Sequence, residues 1–477
     1  MGRGWIVAVT LLLLPWAAPA AEKGSPLAIT QDQQRAVALT VYNGNLGLVK
    51  DLREITLPPG VHAVQFMDVA AQINPTTVHL KSLTDPATLR ILEQNYEYDL
   101  LNPQKLLDKY VGRMVKLVDR RVGTGEEMLV DALLLSTNGG PVFQIDGQIH
   151  LHHPGRIILP TLPADLIARP TLVWLLENGR NGRQRVEASY LTGGLNWRAD
   201  YVLVLDPKEA GGDLTGWVTL DNRSGATYRD ATLKLVAGDI HRAQEGSRLR
   251  EAMAKAADAP TAEAARREFV EQGFFEYHLY TLQGRTTVKQ NQTKQLNLLQ
   301  ATGIPLTKHL IYYGADQYYR NAYGVPISNQ KVGVYLELQN TKAHRLGLPI
   351  PKGILRVYKA DGEGSLQFVG EDTVPHTPKD ERVKIKMGEA FDLVAERVQR
   401  DFRKIASHLY EVEWEVALRN HKEEPVTITV IEPVPGDWQV LAASHPAEKI
   451  EAHTLRFQVP VAKGGTAKLT YRVRIRY

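Results

Sequence analysis

Two stretches of the chain alternate apolar and polar side chains. In Tyr410-Glu-Val-Glu-Trp-Glu-Val-Ala-Leu418 the residues at 410, 412, 414, 416 and 418 are apolar, with Glu411, Glu413 and Glu415 between them. At the far end Leu469, Tyr471, Val473, Ile475 and Tyr477 are apolar, and Arg472, Arg474 and Arg476 fall on the opposite face. A period of two puts every second side chain on one face of a strand, so both runs predict half-buried strands of an antiparallel sheet. Three glutamates and three arginines on outward faces further predict that the two strands are neighbours. Such charges fix register more than they stabilise, because exposed pairs contribute only about 0–1 kcal/mol each.

The rest of the pattern is also mostly strands and turns. Residues 37–42 read as a strand ended by Asn43-Gly44, a strong turn signal, and residues 61–66 follow the turn Leu57-Pro58-Pro59-Gly60. Residues 129–135 and 170–176 are short apolar runs that suit strands covered on both faces. One helix is expected, with Asn102 as cap, Pro103 in its first turn, Gly112 after its end, and Leu106, Leu107 and Tyr110 as its buried stripe. Asn178-Gly-Arg-Asn-Gly-Arg183 predicts a tight turn. Beyond it, residues 186–190, 217–220 and 232–236 read as strands, and strands resume at 274–282 and 295–299. Between them, residues 245–272 are rich in Ala, Arg and Glu with poor apolar spacing, which predicts a solvated helical hairpin or a disordered loop. Residues 21–35 are polar and read as a flexible leader.

The first twenty residues change the picture from fold to compartment. Arg3, an uncharged apolar run from Trp5 to Leu14, and Ala18-Pro-Ala20 form the pattern of a cleaved secretory signal peptide, with the cut expected before Ala21. The 477-residue chain contains no cysteine, so neither a lipid attachment site nor a disulfide is expected. Its net charge of +4 is near neutral for this length and favours no nucleic-acid partner. No later run reaches the roughly 18 uncharged apolar residues of a membrane-spanning helix, so no transmembrane anchor is expected after cleavage.

Several segments resemble a known bacterial family. These are Tyr190-Leu-Thr-Gly-Gly-Leu-Asn-Trp-Arg-Ala-Asp-Tyr201, Gly216-Trp-Val-Thr-Leu-Asp-Asn-Arg-Ser-Gly-Ala-Thr-Tyr228 and Leu233-Lys-Leu-Val-Ala-Gly-Asp239. Gly370-Glu-Asp-Thr-Val-Pro-His-Thr-Pro-Lys-Asp-Glu381 and Gly388-Glu-Ala-Phe-Asp-Leu-Val-Ala-Glu-Arg397 extend the likeness. Together they resemble the domain of unknown function 4139 family over residues 186–477, with a distant similarity to mucoidy-inhibitor-like proteins. The resemblance implies an exported β-sandwich protein and supplies no catalytic residues to carry over.

Candidate chemistry is sparse. His150 and His152 share a face if their segment is a strand, as a zinc pair requires, but Pro154-Gly155 ends the segment and no third ligand has a telling spacing. Surface or turn histidines are the favoured reading. Tyr312, Tyr313, Tyr318, Tyr319 and Tyr323 cluster in one segment and suit either a sugar- or protein-binding surface or packing between domains. Asp361-Gly-Glu-Gly-Ser365 faintly resembles a calcium loop but lacks the required glycine, and reads as a hairpin turn. Arg180, Arg183 and Arg185 form a basic turn, and His376, Asp380 and Glu381 lie in a Pro-rich turn. No nucleophile elbow, phosphate loop or His-Glu-x-x-His motif occurs, and no cofactor is expected.

The expectation is therefore a mainly β, multi-domain protein of antiparallel sandwiches, immunoglobulin-like at the C-terminus. The expected parts are a signal peptide at 1–20, an N-terminal region at 21–185, a middle domain at 186–330 and a C-terminal domain at 331–477. The expected role is binding or scaffolding in the periplasm or outside the cell, with an envelope protein or glycan as partner; the oligomeric state is left open. The alternatives are an envelope hydrolase using carboxylates on sandwich loops and an outer-membrane β-barrel.

Overall fold

A computed structural model describes residues 26–97, 103–120, 127–151, 153–161, 169–238 and 269–477. The signal peptide, Asn102, His152 and most of the Ala/Glu/Arg-rich insertion lie outside them. The fold is mainly β, and the chain divides into two compact units. The first holds residues up to Ala36 and Asp51–Tyr190; the second holds Val37–Lys50 and Leu191–Tyr477.

In chain order the early strands are β1 (Leu27–Ile29), β2 (Gln34–Tyr42), β3 (Leu46–Thr56), β4 (Gly60–Met67), β5 (His79–Ser82) and β6 (Leu89–Glu97). Helix α1 (Pro103–Tyr110) precedes β7 (Met114–Arg120), β8 (Glu127–Ser136), β9 (Val142–Ile145), β10 (Gln148–Leu151) and β11 (Arg156–Ile158). β12 (Thr171–Asn178) and β13 (Arg183–Thr192) follow.

Within the first unit one sheet has the order β1-β4-β12-β6, and β1 runs parallel to β4. This corrects the expectation of a flexible leader over 21–35 for its described part. The polar residues there are used locally: Thr30 and Gln33 form a reciprocal capping box, the Gln31 N–H donates to Asp68, and Ile29 is buried. A second, antiparallel sheet, β10-β9-β8-β7-β11, covers its own core of Tyr110, Val115, Leu117, Ala132, Leu134 and Phe143. Here β8 departs from the expected strand covered on both faces. Ala132 and Leu134 are fully buried, but on the other face Leu129 is 59% exposed and Leu133 and Leu135 are only partly covered.

The second unit adds β14 (Leu195–Leu205), β15 (Gly211–Asn222), β16 (Tyr228–Ala237), β17 (Phe269–Phe274), β18 (Tyr277–Val288), β19 (Gln292–Pro305) and β20 (Thr307–Tyr313). Then come β21 (Ile327–Gln339), β22 (Gly353–Ala360), β23 (Leu366–Val374), β24 (Arg382–Ala406), β25 (Leu409–Asn420) and β26 (Val426–Pro433). The last strands are β27 (Asp437–Ala443), β28 (Ala447–Glu451), β29 (Thr454–Val461) and β30 (Thr466–Arg476). Residues 269–272, expected within the helical or disordered insertion, belong to β17 and pair with β18, where β-forming Phe269 and Val270 take over from the Ala-rich composition.

Two layers of this unit carry the candidate site. A mixed sheet of order β19-β15-β14-β22-β23 turns its inner face toward β16 and β18: the Trp197 indole N–H donates to the Val236 carbonyl at 3.1 Å, and its ring lies 6.5 Å from that of Tyr280. β22 and β23 form the expected hairpin over Asp361–Gly364.

The remaining strands form a nine-stranded sheet, β27-β30-β25-β24-β21-β20-β26-β29-β28. Phe457 of β29 and Tyr471 of β30 stand far apart in that order, yet their ring centroids are 5.1 Å apart, so the sheet curls over one shared core. The two alternating runs do pair: Glu411 sits opposite Arg474 and Glu413 opposite Arg472, and both pairs make salt bridges. The register leaves the third pair unmatched. Glu415 faces Thr470 and bonds Arg400 and Lys468 instead, and Arg476 faces Leu409.

Candidate functional site

The tyrosine segment goes mainly to the core. Tyr312, next to last in β20, is buried, Tyr318 and Tyr319 are buried in a short 3₁₀ turn, and Tyr323 packs against the same cluster. Tyr313 alone is half exposed, with its ring 6.2 Å from that of Tyr335. His150 is half-buried on β10, 6.2 Å from the His153 ring; among the described residues no group of three His, Asp or Glu side chains is placed to hold a metal ion. The Asp361 carboxylate is used up within its own hairpin, taking hydrogen bonds from the Gln367 amide and from the N–H groups of Ser365 and Glu363, which hold it below the usual carboxylate range. His376 Nδ1 accepts from the Lys352 N–H, Asp380 adopts a left-handed turn, and the Glu381 carbonyl accepts from Asn340 N–H, so the Pro-rich turn is held by its backbone. Arg183 lies 3.6 Å from Glu54.

Around the tyrosines lies a polar network that the sequence reading missed. Arg397 of β24 and Glu432 of β26 are both fully buried and joined through two contacts, at 2.5 and 3.2 Å. The Tyr319 hydroxyl donates to Glu432 at 2.8 Å and lies 2.9 Å from the Tyr471 hydroxyl, which accepts from Arg397. The guanidinium lies over the adjoining rings of Tyr318 and Trp414, 4.6 Å from each centroid. A Cβ at Gly314 would collide with the Glu432 carboxylate, which explains the glycine after Tyr312-Tyr313. Burial pushes the Glu432 carboxyl up, against the pull of Arg397 and the two tyrosine hydroxyls. Burial opposes the charge on Arg397, but Glu432 and the tyrosine oxygens outweigh it and raise its pKa. Burial likewise pushes the Tyr319 and Tyr471 hydroxyls well up. With no group open to solvent, the network holds strands together and has no route to a substrate. A signal for it exists: Arg397 continues the inward phase of Leu393 and Ala395, and Glu432 that of Ile428 and Val430.

The accessible candidate is the outer face of the β19-β15-β14-β22-β23 sheet. Leu214, Val218 and Leu220 of β15 point inward, so Thr215, Trp217, Thr219 and Asp221 point out. Trp217 is 36% exposed and lies in register between Asp200 of β14 and Asn297 of β19. Asp200, almost buried, accepts from the Thr219 hydroxyl at 2.7 Å and from Arg356 at 3.3 Å, and Arg198 lies 3.3 Å away. Arg198 also reaches Asp221 at 3.0 Å, and Arg356 reaches Glu371 at 3.0 Å. Gln295 donates to Thr219 at 3.4 Å. Ion pairs thus hold the charged groups in place, while the Trp217 indole N–H and the Asn297 side-chain amide take no hydrogen-bond partner among the described residues.

The model of the family described as a domain of unknown function (DUF4139) matches residues 186–477. The chain belongs to the DUF4139 family. The DUF4139 region contains all five strands of this outer face and the whole Arg397–Glu432 network. No curated protein matches the chain. Among the described residues no helix is long and apolar enough to cross a membrane.

Proposed function

We propose that this is an exported protein of the bacterial envelope, delivered to the periplasm or beyond by residues 1–20. In this reading its DUF4139 region is a binding or scaffolding module built from β-sandwiches, immunoglobulin-like in its C-terminal part. The observation that carries the reading is the outer face around Trp217. It is a rigid sheet surface on which ion pairs fix the neighbours of a partly exposed indole. A partly exposed tryptophan offers a ligand both a large apolar face and an N–H donor, which suits it to anchor a recognition surface. The two-layer packing behind the face, through Trp197 and Tyr280, supplies the stiffness a binding site needs.

The test is retention of the full mature chain on isolated envelope material, compared with Trp217→Ala. Retention should fall about tenfold while the melting temperature stays within a few degrees. Equal retention of the two proteins would remove this face as the binding site.

A further inference from the structure

The same face also bears on the class of ligand. The four nearest same-face neighbours of Trp217 are Thr215 and Thr219 along its own strand and Asp200 and Asn297 on the flanking strands. Each carries a hydroxyl, carboxylate or amide. Strands stand about 4.8 Å apart, and same-face residues on one strand about 6.8 Å apart. The indole is therefore flanked on its own strand and on both neighbouring strands by hydrogen-bonding side chains. A protein hot spot has the opposite pattern, an aromatic anchor in a desolvated pocket behind a rim of other contacts.

Charge narrows the class further. The rows beside Trp217 carry Asp200, Asp213, Asp221 and Glu371 against Arg198 and Arg356, and both guanidiniums are committed to these carboxylates. A polyanion would meet an excess of fixed negative charge and no free cation on these rows. The unpartnered groups are the neutral Trp217 N–H and the Asn297 amide, a donor and a mixed donor–acceptor suited to hydroxyl groups.

We infer that the face binds a neutral glycan, one sugar stacking its apolar side on Trp217 while its hydroxyls bond the part-exposed Asn297 and Thr215. The inference rests on the binding role proposed above and adds the ligand class. Titration calorimetry of the full mature chain with cellohexaose, maltohexaose and chitohexaose, each alone, tests it. At least one should bind saturably, Trp217→Ala should weaken that binding tenfold or more, and Asn297→Ala should weaken it three- to tenfold, with both variants keeping the parent's melting temperature. If none of the three binds, or if Trp217→Ala leaves binding unchanged, the glycan assignment fails. Binding confined to dextran sulfate or to a basic peptide also overturns it. The two readings fail separately: loss of envelope retention in Trp217→Ala without oligosaccharide binding keeps the binding face and discards the glycan, whereas unchanged retention discards the face itself.

Discussion

Among the described residues two arginines are completely buried, Arg53 in the first unit and Arg397 in the second. Both are stacked on aromatic rings and both face a buried carboxylate. Arg53 meets Asp51, two residues away on β3, through Nη2 at 2.8 Å and Nε at 3.2 Å; it also donates to the Ile29 carbonyl and lies 3.7 Å above the Phe66 ring. The second oxygen of Asp51 accepts from Gln34 at 2.9 Å. Arg397 instead meets Glu432, 35 residues away, and β24 and β26 are separated by two other strands in the sheet order. The first pair is a local clip on one strand. The second reaches across the interior of a curled sheet and ties together strands that share no backbone hydrogen bonds. Chemistry is alike in the two; what differs is how much of the fold each one closes.

The largest effect should follow from breaking the long-range pair. Glu432→Gln preserves volume but leaves a fully buried guanidinium without its counter-charge, and should cost about 3–5 kcal/mol in urea unfolding. Arg397→Met with Glu432→Leu removes both charges, and the Tyr319 and Tyr471 hydroxyls retain each other as partners. That double variant should recover most of the loss. If it is as unstable as Glu432→Gln, the network acts through shape and not through charge.

Asp51→Ala should cost less, about 2–3 kcal/mol, because Arg53 keeps the Ile29 carbonyl and the Phe66 face. A loss equal to that of Glu432→Gln would show that sequence separation of the partners is irrelevant and that burial alone sets the effect.

The same contrast explains what was legible in the sequence. The pairing of β25 with β30 could be read because Glu411, Glu413, Arg472 and Arg474 all sit on the outward phase of clean alternations, where charge signals a neighbour. Arg397 and Glu432 sit on inward phases, where a charge signals only that some partner exists. Its identity depends on how a nine-stranded sheet curls, which no local spacing encodes. The tyrosines near 318 were visible as a cluster, but tyrosine suits a surface and a core equally well, and only the position of Glu432 places Tyr319 inside. Trp217 was visible as a strand residue. Its site was not, since Asp200 and Asn297 come beside it by register from 17 residues before and 80 residues after.

A third ion cluster extends the comparison to a partly exposed setting and should give the smallest effect. Glu209, in the β14–β15 turn, bonds Lys308 and also Lys359, the latter at 2.6 Å, and its side chain is about a quarter exposed. Partial burial pushes its carboxyl up, but the two lysines outweigh this and bring it down to about 2. A carboxyl whose folded value is depressed contributes stability above its unfolded value, near pH 4.3, and loses it as pH falls toward the folded value. The difference in unfolding free energy between the parent and Glu209→Gln should therefore be full above about pH 5 and fade as pH drops toward 2. With water screening the cluster, its full size should be about 1 kcal/mol or less. A difference that instead grew on acidification would have the wrong sign for a depressed carboxyl and would mean that the lysines do not hold Glu209 ionised. A difference as large as that of Glu432→Gln would break the link between burial and cost on which the comparison of Arg53 and Arg397 depends.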